Sequence, residues 1–141
     1  EAVVREGQRK VAELGIQNVS VKKGERGLTL SIENIQFEAD SAVLQKSEQE
    51  KLRKLAQIIA AYPDNDLLIS GHTALAGTEK ARQVLSEERA DSVANYLIQL
   101  GVRDKYHIFT QGFGAKKPIA PNNTEEGKAK NRRVEITILD R

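Results

Sequence analysis

LLISGHTALAGTEKARQVLSEERADSVANYL, residues 67–97, is the stretch whose reading decides the fold. The short apolar run LLIS, bounded by turn residues, predicts a buried strand within Asp66 to Thr73. From about Thr78 to Leu100 the pattern changes period. Ala90, Val93, Ala94 and Leu97 fall on one face of a helix that Gly101 is placed to end. Between the two lies GHTALAG, a turn of small and polar residues.

The same alternation extends in both directions. Upstream, Leu52, Leu55, Ala56 and Ile59 repeat at helical spacing until Pro63, and Ser47 followed by Glu50 reads as a capping box. Asn18–Val21 and Leu28–Ile32 are β-prone and separated by KKGERG, which predicts a hairpin. Before it, Val4, Val11, Leu14 and Ile16 suggest an amphipathic helix interrupted by Gly7. Downstream, Tyr106 to Thr110 reads as a strand. The turn-rich loop QGFGAKKPIAPNNTEEGKAKN follows, with one helical turn near Glu125 to Ala129. In RRVEITILD, Val134, Ile136 and Ile138 alternate with Glu135, Thr137 and Leu139, the signature of a last strand. A hairpin followed by α, β, α, β, loop and β implies an α+β class: one mixed sheet with helices packed on it.

Composition narrows the function. The chain has 141 residues, 39% of them hydrophobic, enough for one domain with a core and a short extension. A formal net charge of +2 gives no global field for nucleic acid or an anionic membrane. With no cysteine there are no disulfides or thiolate metal sites, and the compartment stays open. No run approaches the roughly 20 apolar residues of a membrane span, so no insertion by this segment is expected. The start EAVVREGQRK is neither a signal peptide nor a Met start, and any targeting or anchoring segment is expected upstream.

Catalytic constellations are thin. His72 and His107 have no second His or Cys at ligand spacing, which argues against zinc; His72 reads as a hydrogen-bonded imidazole at a strand end. Ser70 lacks the G-x-S-x-G turn of a nucleophile elbow. QGFGAKKP lacks the spacing of a phosphate loop and leads into Pro118, so it reads as a structural turn. Glu87 and Glu88 sit on a solvated helix face. The expectation is a protein that is not an enzyme and has no metal and no cofactor.

Four motifs remain: ISGHTALAG, LSEERADSVANYL, GFGAKKPIAPN and NRRVEI, in that order, preceded by IQFEADSAVL. Together they closely resemble the C-terminal domain of outer-membrane protein A, a domain shared with peptidoglycan-associated lipoproteins and flagellar stator proteins. The resemblance runs from roughly Gly27 to Asp140. It implies an OmpA-like domain over 27–141, with 1–26 as an extension holding a helix and the first hairpin strand and joining to upstream regions. It also implies an OmpA-C-like β-α-β-α-β-α-β sandwich that binds the stem peptide of peptidoglycan without covalent linkage. The expected location is the periplasm or cell envelope, with other envelope proteins as further partners.

The resemblance also implies a pocket for diaminopimelate, whose far end carries an ammonium and a carboxylate and calls for an acid and a base close together. The family places an Asp after GHT and an Arg before the Ala of LSxxRA. Here the base is Arg89, but the acid position holds Ala74, and a family asparagine aligns with Arg82. Residues seven apart share a helix face about 10.5 Å apart along the axis, so Arg82 and Arg89 are expected to flank Ser86 over the pocket. Arg132 matches a pocket-lining position. Thr73 can donate a hydrogen bond or cap the following turn, and Glu38 or Asp40 of the first loop can replace the missing acid. Arg89 also has surface partners within reach in Glu88 and Asp91. Arg132 and Arg133 alternate faces, so only one of them faces the pocket, and Asn131 reads as a turn-fixing residue. Three readings follow: a wall binder with altered or weakened diaminopimelate recognition, a degenerate module kept as scaffold or protein-interaction domain, and a site for another anion.

Overall fold

The computed structural model describes residues 2–39 and 41–141. In chain order the elements are α1 (Ala2–Glu13), β1 (Val19–Lys23), β2 (Gly27–Glu33), α2 (Lys46–Ile59), β3 (Leu67–His72), α3 (Glu79–Gln99), β4 (Ile108–Gly112), α4 (Glu125–Asn131) and β5 (Arg133–Leu139). The five strands form one mixed sheet in the order β1-β2-β5-β3-β4. From Gly27 onward the chain is therefore β-α-β-α-β-α-β. The β3–β4 pair is parallel, as a crossover through α3 demands, and the other three pairings are antiparallel.

Alternation along the strands sorts the sheet into two faces. Leu28, Leu30 and Ile32 of β2, Leu67 and Ile69 of β3, and Val134, Ile136 and Ile138 of β5 are buried in one core with Leu52, Leu55, Ile58 and Ile59 of α2 and Val93, Ala94 and Leu97 of α3. The opposite face is polar. It carries Thr29, Ser31, Ser70, His72, Arg133, Glu135 and Thr137, with the Thr29 and Thr137 hydroxyls hydrogen-bonded across the strands at 3.0 Å. Residues before Gly27 share the main core: Val11, Ile16 and Val21 are buried in it, and β1 pairs with β2 along its full length.

Two glycines allow close approach. Gly7 does not interrupt α1, contrary to expectation. It is buried, and a Cβ there would lie 2.9 Å from Val21 Cγ1, so the missing side chain lets the helix settle on β1. At Gly71 a Cβ would lie 2.0 Å from the Ser86 carbonyl oxygen, so β3 and α3 touch backbone to backbone where the strand ends.

Helix ends follow local chemistry. Thr78 caps α3, its hydroxyl accepting from the Ala81 amide, and Thr124 caps α4 in the same way through Gly127. The capping box expected at Ser47 does not form. The N-cap is Gln45, which places Ser47 inside the helix and makes no side-chain cap bond. Strand β4 starts two residues later than expected. Tyr106 and His107 belong to the preceding turn, where the Tyr106 amide donates to Asp104 and His107 bonds Asp66 at 2.9 Å.

Candidate functional site

Thr73, Ala74 and Arg82 lie where β3 ends and α3 begins. In the ladder His72 pairs with Arg133, so Thr73 and Arg132 come one step beyond the last paired positions of neighbouring strands. The Thr73 amide donates to Gly114 at 2.8 Å and the Phe113 amide to Gly71 at 3.0 Å, which seats the loop after β4 against this end. Ser86, 1% exposed, completes the seat: its hydroxyl donates to the Gln83 carbonyl and accepts from the Gly114 amide at 2.9 Å. Its hydrogen bonds are thus spent on the scaffold.

Thr73 is buried, and its hydroxyl has no partner among the described residues. It does not cap α3, a task that falls to Thr78. Ala74 follows at 6% exposure, a methyl group set into the start of the turn. The Leu75 amide then donates to Asn122, which also accepts from Asn131. Asn131 is fully buried and makes the turn-fixing bonds read from the sequence. Its Oδ1 accepts from the Ile119 and Ala120 amides, and its Nδ2 donates to the Ala120 carbonyl.

The two helix arginines hold different segments. Arg89 donates from Nε to the Ser41 carbonyl at 3.0 Å and lies over the Phe37 ring, 4.6 Å from its centroid. Ser92, one turn on, donates to the Ala42 carbonyl. Together they clamp the first loop onto α3, and Asp91, a surface partner weighed for Arg89, accepts instead from Thr110. Arg82 reaches back to its own turn, donating to the carbonyls of Ala76 and Gly77, the latter at 2.6 Å. It lines a cleft with Leu75, Gln83 and residues 113–116. Phe37 as a platform for Arg89 is the residue that sequence reasoning missed; its one signal was an aromatic ring beside acids in a loop.

In the first loop Glu38 is exposed; its amide donates to Val43 at 2.8 Å, next to the Phe37–Leu44 bridge. Asp40 lies outside the described residues. Arg132 is half-buried at the end of α4, and its carbonyl accepts from Ile35 at the foot of this loop. Arg133 takes the other face. It is buried, bonded from Nε to Glu135 at 2.7 Å and from Nη2 to the Lys117 carbonyl at 2.9 Å. The structure thus brings Thr73, Ala74 and Arg132 to one end of the sheet, beside the loop that Arg89 holds.

Two histidines complete the picture. His72, expected to be hydrogen-bonded, has no hydrogen-bond partner for either ring nitrogen among the described residues, with Glu135 3.9 Å from Nε2; it stacks on Phe113 with centroids 5.2 Å apart. Burial first, then the nearby Arg133 charge, lowers its pKa to about 4. Burial pushes the Glu135 carboxyl up, but the hydrogen bond and charge of Arg133 outweigh this and hold it below the usual range. The exposed His107 is raised by its bond to Asp66. Among the described residues no group of three or more His, Cys, Asp or Glu is placed to hold a metal, and no helix is long and apolar enough to cross a membrane.

Residues 36–132, the stretch that contains every candidate residue from Glu38 to Arg132, match the OmpA family. The chain belongs to the OmpA family. Among OmpA-family relatives, the probable lipoprotein YiaD of Escherichia coli is 41% identical over 121 residues, covering 85% of this chain and 55% of its own. The peptidoglycan-binding protein ArfA of Mycobacterium tuberculosis is 44% identical over 104 residues, 74% of this chain and 32% of its own. The chain therefore spans about half or less of these relatives' lengths. Among solved structures, an outer membrane protein from Borrelia burgdorferi B31 is 38% identical with a TM-score of 0.72, covering 86% of this chain and 97% of that one. The α+β fold with its OmpA-C-like order of elements is thus shared with solved members.

Proposed function

We propose that this chain is a non-catalytic, wall-binding domain of the cell envelope that engages the stem peptide of peptidoglycan with altered or weakened recognition of its diaminopimelate type. One observation carries the altered chemistry. At the residue after Thr73, where the resemblance puts an acid, a buried Ala74 presents only a methyl group. A base remains close by in Arg89, at the first loop, with Arg132 on the same side. An ammonium entering there meets no carboxylate from this position, whereas a carboxylate still meets guanidinium donors. Removing one member of a desolvated charge pair costs about 2–5 kcal/mol, roughly thirtyfold to several thousandfold in affinity. A stem peptide with a different third residue, or an acid supplied by Glu38 or Asp40, fits this site better than the full zwitterion.

A second reading, a degenerate module acting as scaffold or protein-interaction domain, is favoured by Arg82 and Ser86, whose bonds are made within the domain. One experiment separates the two. Labelled wild type and Ala74→Asp are titrated by NMR with soluble muropeptides differing in the third residue. Under the first reading wild type responds at Thr73 and Arg89 to one stem peptide and weakly to the diaminopimelate form, and Ala74→Asp restores the latter. Silence of wild type toward every stem peptide supports the degenerate reading, and submicromolar binding of diaminopimelate muropeptide by wild type overturns the altered chemistry.

A further inference from the structure

The polar face of the sheet, opposite the helices, holds a groove of about 450 Å³. Its floor presents His72 with Ser70, Gln111, Glu135 and Thr137, and its rim carries Lys22, Arg26 and Lys117. The His72 side chain is only 3% exposed, yet among the described residues neither ring nitrogen makes a hydrogen bond, the Glu135 carboxylate standing off at 3.9 Å from Nε2. Leaving a buried polar group unpaired is costly, and two such atoms on one ring lining a groove mark a place built for something else to occupy. The ring is held in position by its stack on Phe113, whose ring also lies under the Lys117 ammonium, 4.4 Å from the centroid.

The chemistry of the occupant follows from the donors and acceptors. A neutral imidazole offers one N–H and one lone pair on opposite sides of the ring, so its surroundings must supply both an acceptor and a donor, which the several hydroxyls of one molecule do and a simple anion does not. The floor adds the Thr137 and Ser70 hydroxyls and the Gln111 amide, which donates to Ser70 at 3.0 Å. Around them four cations, Lys22, Arg26, Lys117 and Arg133, face two acids, Glu25 and Glu135, and Glu135 is shared between Arg133 at 2.7 Å and Lys22 at 3.7 Å. The surplus is positive.

We infer that this groove is a second binding site, for a saccharide that bears a carboxylate, with ring hydroxyls on His72 and the sheet floor and the carboxylate at Lys22 and Lys117. It lies on the polar face of the sheet and shares Phe113 with the cleft that Arg82 lines, but none of the groove residues it uses for binding is a candidate for the stem peptide, so the two are tested separately.

The test is an NMR titration of the labelled protein, following the His72 imidazole and the Ser70 and Gln111 signals, with methyl glucuronide, methyl glucoside and inorganic phosphate in parallel. The glucuronide is expected to shift all three residues and saturate in the millimolar range, with the glucoside about tenfold weaker and phosphate leaving His72 unmoved. His72→Phe keeps the aromatic stack and removes the nitrogens, and it should abolish the response. Lys117→Ala, at an exposed position, should weaken binding about tenfold and guards against misfolding of the first variant. Water molecules held at the two nitrogens in place of a ligand would leave every titration silent and overturn the site. Equal binding of phosphate, or a glucuronide response that survives in His72→Phe, would overturn it as well.

Discussion

Lowering the pH from 7 to 5 should weaken this domain by about 2 kcal/mol through His72 alone. Its folded pKa of about 4 lies below the 6.5 of an unperturbed imidazole, because burial and the Arg133 charge disfavour the cation. The unfolded chain therefore binds the proton first. The stability that neutral His72 contributes is fully present above pH 6.5 and is lost as the pH falls toward 4. At pH 5 the unfolded imidazole is almost wholly protonated and the folded one barely so, and integrating between the two pH values gives the figure above. His107 acts in the other direction: its pKa is raised by Asp66, so its contribution is present below pH 6.5 and fades as the pH rises through the folded value. The comparison that isolates His72 is urea unfolding, followed by circular dichroism, of wild type and His72→Phe at both pH values. Wild type should lose about 2 kcal/mol more than the variant. An identical pH dependence in both, or an imidazole titrating near 6.5 by NMR, would refute the reasoning.

Three further outcomes follow from the geometry. Gly71→Ala drives a methyl group into the Ser86 carbonyl and should destabilise the fold by about 3 kcal/mol in chemical denaturation, with the largest shifts at the β3–α3 contact. Asn131→Ala strands the Ile119 and Ala120 amides and should cost about 3 kcal/mol, with faster amide exchange across residues 119–122 as its local mark. Thr78→Ala removes the cap of α3 and should lower stability by about 1 kcal/mol, read as a shifted urea midpoint at unchanged slope.

The elements that were legible in the sequence are those with strong local periodicity. Leu52, Leu55 and Ile59 mark α2, Val93 and Leu97 mark α3, and Val134, Ile136 and Ile138 mark β5, and all are buried as their spacing requires. Pairing was not legible, because nothing local tells β5 to insert between β2 and β3. Gly7 misled because the cost of glycine in a helix is local, whereas its benefit is the distant Val21. The Ser47 cap failed because Gln45 begins the helix two residues earlier. Thr73, Ala74, Arg89 and Arg132 were legible as candidates through the family motifs. The turn of Arg82 toward Ala76 and Gly77 was not, since a long flexible side chain is directed by whichever carbonyls tertiary packing leaves within reach. That His72 makes no hydrogen bond among the described residues was equally invisible, being a property of its tertiary surroundings.

The strand order has a consequence for how the domain is made. The centre of the sheet, β5, is the last strand in the chain, and its partner β2 is joined to it by pairs such as Leu28 with Ile138. Until β5 is available, the β1–β2 hairpin and the β3–β4 pair each present an open edge and cannot join into one sheet. Completion of the sheet therefore waits on β5, with a large loop to close before the two halves are joined. A chain interrupted before Arg133 would leave two small, half-covered sheets, the kind of species on which chaperones and proteases act.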